Sequence, residues 1–404
     1  MRAMKDSGVP WLKEIPVNWK VERGKNVLAL QKRPVRDNDE VVTCFRDGEV
    51  ILRSLRRTEG FTMSDKEIGY QGINEGDIVI HGMDGFAGAM GVSKSTGKGS
   101  PVLIVCTPKY DAIPQYIIYY LRALAMTDVF VALATGIRER SCDLRWNKVS
   151  ELEFIMPSSS EQQAIVEFLD RKCTEVDEMI ALQEQIIEEL KAYKQSVITE
   201  AVTKGLNPAA PMRDSGIEWI GSIPEYWEVK RLKYLCSIKT GNKDTQDADK
   251  DGAYPFYVRS PFVERSTSYS FEGEGILMAG DGAGAGRVFH HAFGKYAVHQ
   301  RVYRLSDIKH INSNYLFYYI SNLFNKVMDM GSAQSTVPSV RLPMLTNFRV
   351  CCPDIEEQQA IADYLDEKCG EIDKLIAIKQ SKIDSLKEYK KSIIYEYVTG
   401  KREI

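Results

Sequence analysis

The sequence predicts an α+β protein: two α/β modules separated by two long helices, the helices forming an antiparallel coiled coil and the whole chain an internal pseudo-two-fold repeat. Three observations carry this reading. Two stretches recur at fixed offsets, two runs of roughly 40 residues keep a heptad of apolar side chains, and the segments between them mix short β-type runs with one helical pattern each.

The repeat sets the architecture. Residues 4–23 read MKDSGVPWLKEIPVNWKVER and residues 212–231 read MRDSGIEWIGSIPEYWEVKR, so Trp11 and Trp219, Pro16 and Pro224, and Trp19 and Trp227 coincide at an offset of 208. Residues 161–173 (EQQAIVEFLDRKC) match 357–369 (EQQAIADYLDEKC) at an offset of 196, and the match continues through Tyr193-Lys194 and Tyr389-Lys390. The first module is therefore 12 residues longer than the second inside a frame that stays in step. Weaker echoes inside the modules join Glu75–Gly82 to Gly273–Gly280 and Tyr116–Leu121 to Tyr315–Ile320. The boundaries that follow are 1–156 and 207–352 for the modules, 157–206 and 353–404 for the helices. A constant frame around two divergent inserts predicts that the inserts choose different targets.

In the helical runs the apolar residues step by four and three. The first seam is Leu169, Val176, Ile180, Ile187, Leu190 and Val197, and the second is Leu365, Ile372, Ile376, Ile383, Leu386 and Ile393. Such a heptad predicts a coiled coil. Neither run contains proline, and Pro157 and Pro353 stand just before them, as at a helix start. Two seams in one chain pack most simply on each other, and an antiparallel pair places one module at each end. Gln183 with Lys379 and Lys194 with Lys390 put polar groups into both seams, a device that fixes register.

The modules read as α+β units with a curved or barrel-like sheet. β-type runs fall at Glu49–Leu52, Ile78–Ile80, Val102–Cys106, Ile276–Met278 and Ala297–Leu305, and helical patterns near Tyr116–Leu133 and Tyr315–Val327. Neither module is strongly basic: Lys and Arg number 16 against 17 Asp and Glu in residues 29–156, and 13 against 10 in residues 237–353. The cations are nevertheless clustered. Arg53, Arg56 and Arg57 lie together, Lys94 and Lys98 sit in a Gly/Ser-rich stretch, and Arg138, Arg140 and Arg145 follow Gly136. In the second module Lys239 and Lys243, Arg259 and Arg265, Arg287 with His290 and His291, and finally Gln334, Ser335 and Arg341 occupy turn-rich sequence. Arginine beside small polar residues suits DNA, because its fork bonds guanine N7 and O6 together and its charge holds phosphate.

At 404 residues, with 44% apolar and 27% charged side chains, the composition is that of an ordinary globular protein. The most apolar stretch, Ile113 to Thr135, carries Arg122 and Asp128, so no membrane span is expected, and the first residues show no signal peptide. Eight scattered cysteines without a C-x-x-C pair predict a reduced, cytoplasmic protein without a zinc site. A net charge of −3 excludes a generic nucleic-acid coat. Gly280–Gly286 fails the G-x-G-x-x-G pattern and Gly91–Gly99 fails the P-loop pattern, so both are read as turns. No D/N-P-P-Y/F string is present, and His81 with Asp84 or His290 with His291 lack a partnering motif. No catalytic residue is expected.

The paired I-P-x-x-W segments ending at Trp19 and Trp227, and the P-x-x-x-E-Q-Q-A-I helix starts at Pro157–Ile165 and Pro353–Ile361, resemble the specificity subunits of type I restriction–modification enzymes. The resemblance implies that each module is a target recognition domain reading one half of a bipartite site in double-stranded DNA. It implies that the helices set the gap and dock two modification (methyltransferase) subunits, which restriction (translocase–nuclease) subunits join. S-adenosylmethionine, ATP and Mg2+ would then belong to those partners, with no cofactor in this chain. A specificity subunit of a methylation-only system has the same sequence features. A coiled-coil scaffold without DNA function would not need two differing modules.

Overall fold

The computed structural model describes residues 2–56, 68–127, 129–130, 144–331 and 338–404. Its regular elements, in chain order, begin with β1 (Leu28–Leu30), β2 (Ile78–His81), β3 (Met90–Val92), β4 (Leu103–Pro108), α1 (Pro114–Met126), α2 (Trp146–Glu151) and the long α3 (Ser159–Lys204). They continue with β5 (Ser237–Thr240), β6 (Tyr254–Tyr257), β7 (Gly275–Ala279), β8 (Phe289–Ala292), β9 (Lys295–Val298), β10 (Val302–Ser306), α4 (Ser313–Gly331), α5 (Leu342–Thr346) and the long α6 (Ile355–Val398). Short extra strands and turns fill the gaps. Two compact units divide the chain: Met1–Gln183 with Ser381–Ile404, and Glu184–Gln380.

In the first unit an antiparallel sheet runs in the order β1-β4-β2-β3. Its centre is buried on both faces, which is why Ile78-Val79-Ile80 and Leu103–Cys106 are unbroken apolar runs. Because side chains alternate along a strand, Ile78, Ile80, Ile104 and Cys106 face the cluster built on α1, while Val79, Leu103 and Val105 face a second cluster with Val42, Cys44, Val50 and Ile73. The second unit repeats the plan. The sheet order is β5-β10-β7-β8, with Ile276, Met278 and Leu305 toward α4 and Leu277 and Val302 toward Tyr296 and Val298. It adds a mixed sheet in which β6 and β9 pair in parallel. Each module is closed at its base by paired flanking strands, Lys20–Arg23 with Glu153–Met156 and Glu228–Arg231 with Arg349–Cys352. In the first module the bridges Val41–Lys98 and Val50–Ser93 join the smaller sheets to one another and to the larger one. The single strand expected over Ala297–Leu305 is two strands, because the chain turns at 299–301 to leave β9 for β10.

The repeated motifs turn out to be ties. The buried Trp19 indole donates to Glu161 at 2.9 Å, and Trp227 donates to Glu357 at 3.1 Å. Gln162 accepts from the backbone amide of Ile113 at 2.9 Å and donates to the carbonyl of Pro157 at 3.0 Å; Gln358 does the same to Asn312 at 2.7 Å and Pro353 at 2.8 Å. Both glutamines are buried, so these bonds satisfy amides that would otherwise be stranded. Tyr119 binds Asp170 at 2.6 Å and Tyr318 binds Asp366 at 2.7 Å. The P-x-x-x-E-Q-Q string is thus what fastens each module to its long helix.

Within each unit the long-helix segments meet in opposite senses. In the first unit Phe168 of α3 lies 4.4 Å, centroid to centroid, from Tyr397 of α6, and Asp177 accepts from Lys390 at 2.7 Å. In the second, Lys194 bonds Asp373 at 2.7 Å, the repeat equivalent of the Lys390–Asp177 pair. Of the expected seam, Leu169, Val176, Ile187, Leu365, Ile372, Ile383, Leu386 and Ile393 are buried, and Ile180, Leu190, Val197 and Ile376 are half-buried.

Candidate nucleic-acid interface

Both modules present the same corner. Gly82 follows the last residue of β2 and Gly280 the last residue of β7. The Gly82 carbonyl accepts from Leu144 at 2.9 Å and the Gly280 carbonyl accepts from Val340 at 2.7 Å, while their amides reach the Val102 and Arg301 carbonyls at 2.9 and 2.8 Å. A side chain would not fit: a Cβ on Gly82 would lie 2.7 Å from the Leu144 carbonyl oxygen, and one on Gly280 would lie 2.8 Å from that of Arg301. The residues immediately after the anchored positions are Arg145 and Arg341. Each is exposed and stands at the N-cap of a short helix, α2 or α5. Two of the sequence candidates are therefore structural equivalents, set on the same corner by the same two backbone bonds.

In the first module the corner opens into a groove of about 910 Å³, whose walls include Lys32, Arg33, Tyr70, Gln71, Arg145 and Trp146. Arg33 forks onto the buried Asp77, so its charge is held in place. The groove offers a cation, amide groups and aromatic faces together, the combination that base edges and phosphates require. In the second module the corresponding corner carries Asp281, which accepts from Arg259 at 2.9 Å and lies 3.7 Å from Arg301. Asp281 forms a β-bridge with Ser339, two residues before Arg341.

The remaining candidates scatter more widely. Arg53 donates to Thr43 at 3.1 Å. Arg56 pairs with Asp47 and Glu49 and stacks over Phe45, and its hydrogen bond with Asp47 raises its already high pKa and lowers that of Asp47. Lys94 shares Glu49 with it at 3.0 Å. Lys98, expected in a loop, lies in the strand Gly97–Gly99, where it is half-buried because Gln71–Ile73 pairs alongside. Lys239, His290 and His291 likewise stand on β5 and β8 rather than in turns, since ladder pairing with β10 and β7 takes up their backbones. Lys243 donates to Ser268 at 2.7 Å, Arg287 lies 3.7 Å from Asp329, and the Arg265 fork is bonded to the Gly252 and Ala253 carbonyls. Arg57, Arg138, Arg140, Gln334 and Ser335 lie outside the described residues.

The histidines singled out by sequence are each held by neighbouring groups. His81 accepts the Asp84 amide through Nδ1 at 3.0 Å, and burial lowers its pKa, which suits a neutral turn-capping ring. His291 pairs with Glu274 and stacks on Phe293 and Phe317, and His290 is tied to the Ser260 carbonyl. Among the described residues no three metal-ligating side chains cluster, and no helix is long and apolar enough to cross a membrane. The described cysteines are buried thiols; burial pushes Cys44, Cys106, Cys236 and Cys352 up to about 12. Sequence reasoning missed Arg301, because it stands at the turn between β9 and β10, which the sequence reads as one strand.

A model of the type I restriction modification DNA specificity domain matches residues 224–388. The type I restriction enzyme EcoDI specificity subunit of Escherichia coli is 27% identical over 180 residues, 45% of this chain and 39% of that one. A putative type I restriction enzyme MjaX specificity subunit from Methanocaldococcus jannaschii is 24% identical over 418 residues, covering 96% of this chain and 94% of its own. Among solved structures, a chain from a study of complex assembly and conformational transition of the type I R-M system superposes with a TM-score of 0.73 at 15% identity, covering 96% of this chain and 99% of that one. The crystal structure of the HsdS subunit from Thermoanaerobacter tengcongensis gives 0.52 at 15% identity, over 96% and 98%. At that identity the two structures establish a common fold.

Proposed function

We propose that this chain, a specificity subunit of the type I restriction–modification kind, reads a split site in double-stranded DNA with one module per half-site and does no chemistry of its own. One observation carries the reading. The buried ties of the two modules are the same residues in the same roles, whereas the corner beside Arg145 and Arg341 differs: Lys32-Arg33-Pro34 against Thr240-Gly241-Asn242, Met83 against Asp281, Trp146 against Leu342. A frame that repeats around surfaces that do not is what two readers of different half-sites need.

The long helices act as an antiparallel coiled coil that fixes the gap, its register specified by the reciprocal Lys–Asp pairs. They also dock two copies of a modification subunit, one on each repeat. Exposed apolar residues support this: Met179 and Leu182 on α3, and at the equivalent repeat positions Leu375 and Ile378 on α6, all face solvent. The assembled complex methylates adenine with S-adenosylmethionine and, with restriction subunits, cleaves in an ATP- and Mg2+-dependent way in the cytoplasm. The modules follow the boundaries 1–156 and 207–352, and the spacer helices 157–206 and 353–404.

The test uses the complex with its modification subunits and a duplex whose site has been determined by methylome sequencing. Arg145→Ala is expected to relax one position of one half-site and Arg341→Ala one position of the other, each at about 1–3 kcal/mol. Binding that falls equally on specific and scrambled duplexes in both variants would assign these arginines to phosphate alone. For docking, Leu182→Asp with Ile378→Asp should abolish co-purification of the modification subunit while leaving the melting temperature unchanged. Retained stoichiometric capture would place the docking surface elsewhere.

A further inference from the structure

The segment Arg259-Ser-Pro-Phe-Val-Glu-Arg265 connects β6 to the strand Glu264–Ser266 that folds back on it. It is a fixed loop. The Ser260 carbonyl accepts from the His290 ring at 3.0 Å, and the Phe262 amide donates to the Ser260 hydroxyl at 3.1 Å. Pro261 restricts the backbone between them. On its inner side the Arg259 carbonyl rests against Gly284, where a Cβ would come within 2.5 Å of it. The Gly-rich stretch 280–286, which matches no phosphate-binding pattern, thus serves as a seat for this loop. At the tip of this held structure Phe262 is 80% exposed and Val263 is 46% exposed.

A bulky aromatic side chain held rigidly in water has an unused gain of about 1.5–3 kcal/mol for being covered. What surrounds it decides what covers it. Arg259 and Arg301 share the single carboxylate Asp281, and Asp281 bridges to the segment leading to the exposed Arg341. Arg259 and Arg301 against the one carboxylate Asp281 leave a positive charge in excess at this corner, complementary to a phosphate backbone. An apolar tip beside excess positive charge is the arrangement of a wedge that unstacks one base step while the neighbouring backbone is gripped.

We propose that Phe262 enters the base stack of the half-site read by the second module and kinks it. The step entered is a pyrimidine–purine step, which opens most cheaply. The proposal rests on the reading of this module as a DNA reader and adds that it reads in part by deformation. The test places 2-aminopurine singly along that half-site in the methylome-determined duplex and adds the complex with its modification subunits. The wild type is expected to give a several-fold fluorescence rise at one step. Phe262→Ala should lose the rise and weaken binding on the order of tenfold, whereas Phe262→Trp should keep both. Specific binding by anisotropy with no rise at any step overturns the wedge and leaves the DNA reading intact. Equal binding of the cognate and scrambled duplexes by the wild type removes the DNA reading and the wedge with it.

Discussion

Exchanging the first module for that of a relative is expected to change one half of the methylated sequence completely and leave the other half and the gap untouched. The structure supplies the joints. The chain enters at Lys20–Arg23 and leaves at Glu153–Met156, two strands that pair residue for residue. A graft of residues 24–152 therefore keeps the closing ladder, the Trp19–Glu161 tie and the whole of α3. The internal partners of Ile113 and Tyr119 cross the joint, since Gln162 and Asp170 lie on α3, so a donor module must carry a tyrosine at the equivalent of position 119. Methylome sequencing of cells carrying the hybrid reads the outcome directly. A hybrid that altered both halves together, or neither, would sink the one-module, one-half-site assignment.

The fold was open to sequence reasoning wherever a pattern repeats. The offsets of 208 and 196 fixed two copies of one plan, and the heptads marked both long helices, because these signals are periodic and dense. The ties were visible as conserved spacing within the chain but not as chemistry. Nothing local says that Trp19 will meet a glutamate 142 residues away or that Gln162 will cap a backbone amide of a distant loop. The Ala297–Leu305 run misled because β9 and β10 are both apolar and the turn between them lacks glycine or proline. The cation candidates fared unevenly for a related reason. Charge clustering in sequence cannot distinguish Arg265, whose fork is bonded to two backbone carbonyls, from Arg145 and Arg341, which are exposed at matching corners. The offset of 196 puts those last two in register, and the anchored glycines Gly82 and Gly280 show that they stand on matching corners.

The largest stability loss is expected from a charge at the root of either long helix. Leu169 and Leu365 are repeat equivalents, both fully buried, each in the core that joins its module to the opposing helix segment. Ile180 and Ile376, central in the heptad, are only half-buried. Position in the heptad therefore misjudges the cost, and burial decides it. Leu169→Asp places an uncompensated carboxylate among Trp19, Tyr116 and Ile393 and should cost about 3–5 kcal/mol. For a unit of this size that is a fall of roughly 10 °C or more in Tm. Ile180→Asp, where water reaches the new charge, should cost markedly less, and Leu182→Asp, at 53% exposure, should leave Tm within a degree or two of the parent (about 0.5 kcal/mol). Calorimetry on the three variants orders them as Leu169, Ile180, Leu182. If Ile180→Asp proved as damaging as Leu169→Asp, the heptad seam rather than the module-to-helix core would be holding the protein together.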